Sequence, residues 1–201
     1  MNIKKTANLL LNFAIKRIAE IFGIIIFGSG LLLLISLLSY SPDDPNFIFP
    51  DNTQIKNLLG FQGSFISDIF FQSVGLVSYL ISLTFLITGI NIFRTKDFFL
   101  FIENIFFVIL YSIFGTLFLT HFYSDIFTFY INGNGGFVGN YLNQTFLNSL
   151  ILLNENIFFY LLILFTIIIF LISINFSPRK FFKFIKKYLN LLYILAICKN
   201  L

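Results

Sequence analysis

The sequence has 201 residues, of which 58% are hydrophobic and only 11% are charged, and its formal net charge is +4. Soluble domains are about 45–50% apolar and about 25% charged, and a domain of this size cannot bury such an excess of apolar side chains. A water-soluble enzyme is therefore excluded. A secreted disulfide scaffold is excluded too, because Cys198 is the only cysteine. The composition indicates an integral membrane protein.

Four long stretches without charged residues predict four membrane-spanning helices. Each stretch reaches the length of about 20 apolar residues that a helix needs to cross a bilayer. We place the spans near residues 21–40, 72–93, 103–122 and 156–176. Because lipid offers the backbone no hydrogen-bond partners, every span is predicted to be helical, which makes the fold class all-α.

The first span follows a basic segment and therefore has to be distinguished from a secretory signal. Its apolar run is longer than the roughly 7–15 residues of a signal core, and no small-residue cleavage pattern follows it. We expect an uncleaved first span.

The uncharged stretch 126–154 is predicted to be a loop rather than a fifth span. It is rich in asparagine, whose side-chain amide is costly to bury in hydrocarbon, and in glycine, whose flexible backbone favours turns. We expect one interfacial helix in it, at about residues 139–153. A shallow re-entrant segment is the alternative.

Lysine and arginine are concentrated on one side of the predicted topology. Of the 13, all but Lys56 lie in the N-terminal segment, in the short loop between spans two and three, or in the C-terminal tail. The positive-inside rule therefore places both termini in the cytoplasm. The loops at about residues 41–71 and 123–155 are then expected to face outward.

Residues 179–201 are predicted to form a basic cytoplasmic tail that follows a four-span domain at 1–178. Pro178 marks the end of span four. The run PRKFFKFIKK places Lys183, Lys186 and Lys187 at helical spacing with aromatic residues between them. This pattern is typical of an amphipathic helix in the membrane interface, in contact with anionic lipid.

Few ionisable residues could carry chemistry. We interpret Glu103 as an interfacial residue, and His121 as a solvated one. His121 and Asp125 share a helical spacing of four, but a metal site usually needs three or four ligands. Asp43 and Asp44 lie between two prolines, and we interpret them as solvating a turn and holding the loop outside.

The glycine-rich run GNGGFVG at 133–139 has no lysine, and the chain contains no phosphate-binding GxxxxGK[ST] motif. We therefore predict that the chain is not an enzyme and has no catalytic, cofactor-binding or metal-binding residues and no cofactor. Small residues four positions apart predict close helix contacts, either within one bundle or between protomers. These pairs are Ala19 with Gly23, Ser78 with Ser82, and Ser112 with Thr116.

Several motifs in order along the chain resemble the FtsK family of DNA translocases. SYSPDDPNF at 39–47 resembles the start of that family's periplasmic segment, and Gly60, Gly63 and Asp68 fall where the family has a G…GA…AD pattern. FQSVGLVSYL at 71–80 resembles its entry into span two, and GNGGFVG its glycine motif in the second outer loop. In departure from the family, Ser64 and Ser67 replace alanines, and a proline that is usual after the tyrosine is absent.

The resemblance implies a four-span anchor in the bacterial inner membrane. Such an anchor would hold a DNA translocase at the division septum, contact division proteins and, because the motor is hexameric, oligomerise. The family continues into a RecA-like motor, whereas this chain stops at Leu201. We therefore expect either a truncated or split gene, or a motor that lies on another chain, and contact with DNA only indirectly through that motor. The alternatives are a small transporter, a membrane-enzyme subunit or a non-functional remnant. The scarcity of charge within the spans argues against transport.

Overall fold

The structure is a computed structural model that describes residues 3–45, 54–124 and 131–178. These residues form seven α-helices, with a 3₁₀ turn at Gly75–Val77 and no strand. The helices are α1 (Ile3–Leu38), α2 (Gly60–Val74), α3 (Ser78–Thr95), α4 (Phe99–Phe122), α5 (Gly136–Asn143), α6 (Phe146–Leu153) and α7 (Glu155–Ser173).

Four helical stretches of the described chain are long and apolar enough to cross a membrane. They are Asn8–Leu38, Gly60–Thr95, Phe99–Phe122 and Glu155–Ser173. The predicted all-α membrane fold with four spanning helices is therefore confirmed. The predicted interfacial helix of the tail lies outside the described residues, and the domain boundary at 178 stays a prediction.

The first two of these stretches begin earlier than predicted. α1 starts at Ile3 rather than near residue 21, because charged side chains interrupt an apolar run without interrupting a helix; Arg17 and Glu20 even pair one turn apart. The predicted loop at 41–71 contains most of α2, which the prediction missed because the uncharged run that marks span two begins only after Asp68. Ser64 and Asp68 are buried in this helix.

α1 and α3 form the most extensive pair of neighbouring helices. Their backbones approach so closely that a Cβ atom added at Gly23 would lie 2.7 Å from the Phe93 nitrogen, and one at Gly30 would lie 2.7 Å from the Leu86 nitrogen. At one end of the pair, Glu20 binds Lys96 of the α3–α4 turn at 2.6 Å. These contacts set α1 antiparallel to α3.

α4 and α7 form the second extensive pair. Gly115 of α4 faces the side chain of Thr166, and the rings of Phe118 and Phe159 lie 5.2 Å apart. α4 also contacts α5, and α5 contacts α2. Residues 131–143 therefore bridge the two halves of the bundle.

The segment after α4 contains two short helices where one was expected. α5 ends at Asn143, and α6 begins at Phe146 after Thr145 adopts an extended backbone conformation. The Thr145 hydroxyl accepts a hydrogen bond from the backbone N–H of Leu147 at 3.3 Å. This N-cap starts a new helix and so divides the predicted one at 139–153.

Candidate functional site

The acidic pair of the first loop divides into one buried and one exposed carboxylate. Asp44 is 1% exposed and accepts hydrogen bonds at 2.8 Å from the backbone N–H groups of Lys56 and Asn57. Asp43 is exposed and binds the Lys56 ammonium at 2.8 Å, which raises the pKa of that lysine. The interpretation that both acids solvate a turn is therefore wrong for Asp44. Its carboxylate supplies the acceptor for the buried backbone N–H of Asn57 and for the partly buried one of Lys56.

Asp44 belongs to a cluster that fastens the first loop to α1 and α2. The Asn57 side chain donates to the carbonyl of Ser36 at 2.9 Å, and the Ser36 hydroxyl donates to the carbonyl of Gly63 at 2.6 Å. The Ser64 hydroxyl donates to the carbonyl of Pro45 at 2.9 Å. We call Ser36, Asp44, Asn57, Gly63 and Ser64 the Asp44 cluster. Its polar groups form hydrogen bonds within the chain, and these bonds hold the first loop against α1 and α2.

Asp68 lies beside the Asp44 cluster, where α1, α2 and α3 meet. The Tyr40 hydroxyl donates to its carboxylate at 3.2 Å. Phe71 is fully buried next to it, and its ring lies 4.8 Å from that of Tyr40 and 5.6 Å from that of Tyr79. The motif residues Asp68 and Tyr79 therefore lie close to one aromatic contact, although they are eleven positions apart.

The glycine-rich run at 133–139 packs against the break between α2 and α3. Gly75 has a φ of +59°, which ends α2, and the Leu76 N–H donates to the carbonyl of Asn134 at 2.9 Å. A Cβ atom at Gly136 would lie 2.7 Å from the Gly75 nitrogen. We call Gly75, Leu76, Asn134 and Gly136 the glycine junction. The glycines are needed for close backbone contact.

Side-chain amides extend the glycine junction. Asn132 donates to the backbone carbonyl of Gln72 at 3.2 Å and to its side chain at 3.0 Å. Asn140 donates to the carbonyl of Asn132 at 2.8 Å, and Asn134 donates to that of Tyr123. The asparagines that indicated a loop therefore fix that loop to α2 and to the end of α4.

A third group of buried polar residues joins α3, α4 and α7. The Thr84 hydroxyl lies 3.1 Å from that of Tyr111 and 3.3 Å from that of Ser173. One turn along α3, Thr88 accepts a hydrogen bond at 2.7 Å from the side chain of Asn104. We call these five residues the three-helix network. Hydrogen bonds of this kind hold helices together where water is scarce.

Sequence reasoning missed the three-helix network. The available signal was the spacing of Thr84, Thr88 and Asn91, which places three polar side chains on one face of a predicted span. Asn91 donates to the carbonyl of Ile174 at 3.4 Å, so this residue too links α3 to the end of α7.

The small-residue pairs pack within the chain. Ala19 is fully buried, and Gly23 contacts α3. Ser78 and Ser82 are buried in α3, and each hydroxyl donates to a carbonyl three positions earlier, at 2.6 Å and 2.8 Å. The Thr116 hydroxyl likewise donates to the carbonyl of Ser112 at 2.7 Å. These residues therefore serve contacts inside the bundle.

The remaining candidates are not brought together. Glu103 is exposed on α4. His121 is half-buried, with Nδ1 3.3 Å from the Asn143 side-chain oxygen and its ring 4.7 Å from that of Phe122. Asp125 lies outside the described residues. Among the residues described, no three of His, Cys, Asp or Glu are grouped as metal ligands. The absence of catalytic, cofactor and metal sites stays a prediction.

Comparisons with known proteins match this arrangement to one family. The family described as the 4TM region of DNA translocase FtsK/SpoIIIE matches residues 15–187. DNA translocase FtsK of Rickettsia bellii is 32% identical over 169 residues, which cover 84% of this chain and 21% of that protein. FtsK of Rickettsia prowazekii is 31% identical over 134 residues, 67% of this chain and 18% of that protein. FtsK of Rhizobium meliloti is 33% identical over 69 residues, 34% and 8% respectively.

No solved structure matches the chain. The chain spans about a fifth of the length of the two rickettsial relatives and corresponds to their N-terminal part. The matched region is a membrane domain, and it excludes the ATPase motor of those translocases. With four spanning helices and a match from residue 15 to residue 187, the chain belongs to the family of FtsK/SpoIIIE four-transmembrane regions.

Proposed function

We propose that this chain is the membrane anchor and interaction module of a cell-division DNA translocase, and that it has no enzymatic activity of its own. The observation that carries the proposal is the family match across residues 15–187 together with four apolar spans. Its partners are the lipid bilayer, further copies of itself and division-site proteins. Contact with DNA takes place only through a motor domain.

The surroundings of the buried polar groups support a role without catalysis. Asp44, Asn57, Thr84 and Asn104 are each hydrogen-bonded within the chain. A groove of about 320 Å³ between α1 and α3 is lined by Gly23, Ile24, Phe27, Gly89, Ile90 and Phe93. Such a lining suits a lipid chain or another helix and offers no acid, base or nucleophile to a substrate.

We propose a bacterial inner-membrane location with both termini in the cytoplasm. Because α1 runs antiparallel to α3, Arg17 and Lys96 lie at the same end of the pair, where both bind Glu20. Lys56 follows the opposite end of α1, beside the Asp44 cluster. The contacts therefore agree with the distribution of lysine and arginine that underlies the topology.

Thiol labelling tests this topology. In a Cys198→Ser chain, single cysteines replace Leu58, Ser124 or Thr95, all of which are exposed. We expect a membrane-impermeant maleimide to label positions 58 and 124 in intact spheroplasts, and position 95 only after lysis. Labelling of position 95 alone in intact spheroplasts would reverse the proposed orientation.

The division role is tested separately, in living cells. A fluorescent protein fused to the N-terminus should concentrate at mid-cell wherever a marked division ring has assembled. Uniform membrane fluorescence in cells with an intact ring would contradict the anchor role and favour a transporter or a remnant. We also expect the purified chain to hydrolyse no ATP, with or without DNA.

A further inference from the structure

α1 continues beyond the helix against which it packs. The Tyr79 hydroxyl donates to the carbonyl of Leu37 at 3.3 Å, whereas Glu20 binds Lys96 just after α3 has ended. Toward the N-terminus from Ala19, every described side chain of α1, from residue 8 to residue 18, is exposed. We call residues 3–18 the α1 extension.

α1 is longer than the hydrocarbon core of a bilayer is thick, so the α1 extension does not fit inside the core. A helix of 36 residues is about 54 Å long at 1.5 Å per residue, whereas the hydrocarbon core is about 30 Å thick. Residues 19–38, which run alongside α3, already span about 30 Å. The extension therefore lies beyond the core, at the end of α1 that carries Lys16 and Arg17.

The composition of the α1 extension does not suit water. Leu9, Leu10, Leu11, Phe13, Ile15 and Ile18 each expose between 46% and 66% of their surface. A contiguous apolar patch of this kind normally marks a site of contact with a membrane or a protein.

The apolar side of the extension points away from α3. The residues of α1 that pack toward α3 are buried and are spaced alternately four and three positions apart. They are Ala19, Gly23, Ile26, Gly30, Leu33 and Leu37. Continued backward, the same steps reach Lys16 and Asn12, which are polar. Leu10 and Phe13 fall on the opposite side of the helix, the side on which Ile21 is exposed in the spanning part. Arg17 lies on this side too, with its guanidinium 5.0 Å from the centre of the Phe13 ring.

We propose that the α1 extension lies in the headgroup region of the membrane and binds anionic lipid. Leu10 and Phe13 then face the boundary between the headgroups and the acyl chains, and Asn12 and Lys16 face water, because α1 leans toward its apolar side and away from α3. The extension carries Lys4, Lys5, Lys16 and Arg17, whose charge complements anionic headgroups. The family match begins only at residue 15, so family membership does not imply this role.

Spin labelling of the full chain tests the proposal. In a Cys198→Ser background, a nitroxide is placed at position 10, 12, 13 or 25, and each protein is reconstituted into vesicles at a high lipid-to-protein ratio. Oxygen concentrates in lipid, and a nickel chelate concentrates in water. We expect the oxygen-to-nickel accessibility ratio to be higher at positions 10 and 13 than at 12, and highest at the spanning control, 25.

The lipid charge provides a second arm of the experiment. Replacing about a third of the phosphatidylcholine by phosphatidylglycerol should shift positions 10 and 13 toward oxygen. High salt, or the combined changes Lys4→Gln, Lys5→Gln and Lys16→Gln, should abolish this shift. No response to phosphatidylglycerol would overturn the binding of anionic lipid.

Two other results would overturn the membrane-surface position. The first is equal, high nickel accessibility at positions 10, 12 and 13, which would place the extension in water. The second is dipolar broadening between labels at position 13 that disappears when unlabelled chain is added. That result would assign the apolar side to a second copy of the chain.

Discussion

At the scale of single residues, the contact between α1 and α3 depends on glycine where a side chain would meet backbone. A Cβ atom at Gly89 would collide with the backbone nitrogen of Phe27, and one at Gly23 would lie 2.9 Å from the Gly89 carbonyl. Backbone in a helix cannot give way as a flexible side chain does. The separation of the two helices is therefore set by these glycines.

The change Gly89→Ala tests this dependence. We expect it to destabilise the chain by about 1–3 kcal/mol, because an added methyl group forces the two backbones apart. The matched control is Gly28→Ala on α1, where a Cβ atom would meet nothing within 4 Å and where alanine also favours the helix. Unfolding in a graded detergent mixture measures both variants. Equal loss in the two would contradict a steric role for Gly89.

The two acids of the first loop give a second matched pair. Asp44→Ala leaves one buried and one partly buried N–H group without its acceptor, so we expect the amides of Asn57 and Lys56 to exchange with deuterium at least tenfold faster. Asp43→Ala removes the exposed ion pair with the Lys56 ammonium and leaves the acceptor of both backbone N–H groups in place, so it should change these rates little. Hydrogen exchange of this peptide in detergent gives both rates. Similar exchange in both variants would show that Asp44 is dispensable to the loop.

At the scale of elements, the glycine junction connects regions far apart in sequence. The end of α2, the 3₁₀ turn and residues 132–136 meet there without any side chain between their backbones at Gly75 and Gly136. The break in the helical stretch Gly60–Thr95 and the position of the second loop therefore depend on the same backbone contacts. Each is held in place by the other.

The change Gly136→Ala should weaken the contact between the second loop and the break between α2 and α3. Gly133 provides a control, because both glycines have a positive φ, +65° and +70°, and share the cost of that backbone conformation in alanine. A Cβ atom at Gly133 reaches only the Ser124 carbonyl, at 4.0 Å, whereas one at Gly136 meets Gly75. We expect the Leu76 amide to exchange about fivefold faster in Gly136→Ala than in Gly133→Ala, equivalent to about 1 kcal/mol. Equal rates would mean that contact with Gly75 contributes nothing.

The elements that the sequence predicted well are those whose length the bilayer dictates. α4 and α7 lie close to the predicted spans at 103–122 and 156–176, since an apolar run between charges has one stable form in lipid. α2 could not be predicted in the same way. The Gly63 carbonyl, the Asp68 carboxylate and the Ser64 hydroxyl of α2 bond to Ser36, Tyr40 and Pro45 respectively. Such partners are known only once the chain is folded.

At the scale of the whole molecule, two helix pairs are joined at two places. α1 pairs with α3, and α4 pairs with α7. The three-helix network connects α3 to the second pair on one side, and residues 131–143 connect α2 to α4 on the other. The relative position of the pairs therefore depends on these polar contacts together with an apolar cluster in which Leu33, Ile81 and Tyr111 meet.

Thr88→Val tests the first connection. It keeps the shape of the side chain but removes the acceptor of the Asn104 amide, so we expect a loss of roughly 0.6–1.7 kcal/mol, the range for hydrogen bonds between membrane helices. Thr95→Val is the control, since Thr95 is exposed on the same helix and bonds only to its own turn. Detergent unfolding of both variants gives the difference. A value near zero would assign the connection to apolar packing alone.

The candidate site was only partly predictable for a related reason. The ordered motifs SYSPDDPNF and GNGGFVG marked the two loops that the structure packs against the helices. Composition could not distinguish the buried Asp44 from the exposed Asp43, because neighbouring loop residues have equal polarity and differ only in what surrounds them. The same holds for Thr88 and Thr95 on α3.

The glycine junction also has a consequence for the order in which the molecule is made. Leu76 and Asn134, which share a backbone hydrogen bond, are separated by α3 and α4. A ribosome therefore delivers the first helical hairpin to the membrane before its acceptor for the Leu76 N–H has been synthesised. The first half can reach its final form only after α4 has crossed the bilayer and the second loop has emerged. Maturation of this domain is thus a late event of synthesis, in which the second hairpin completes the first.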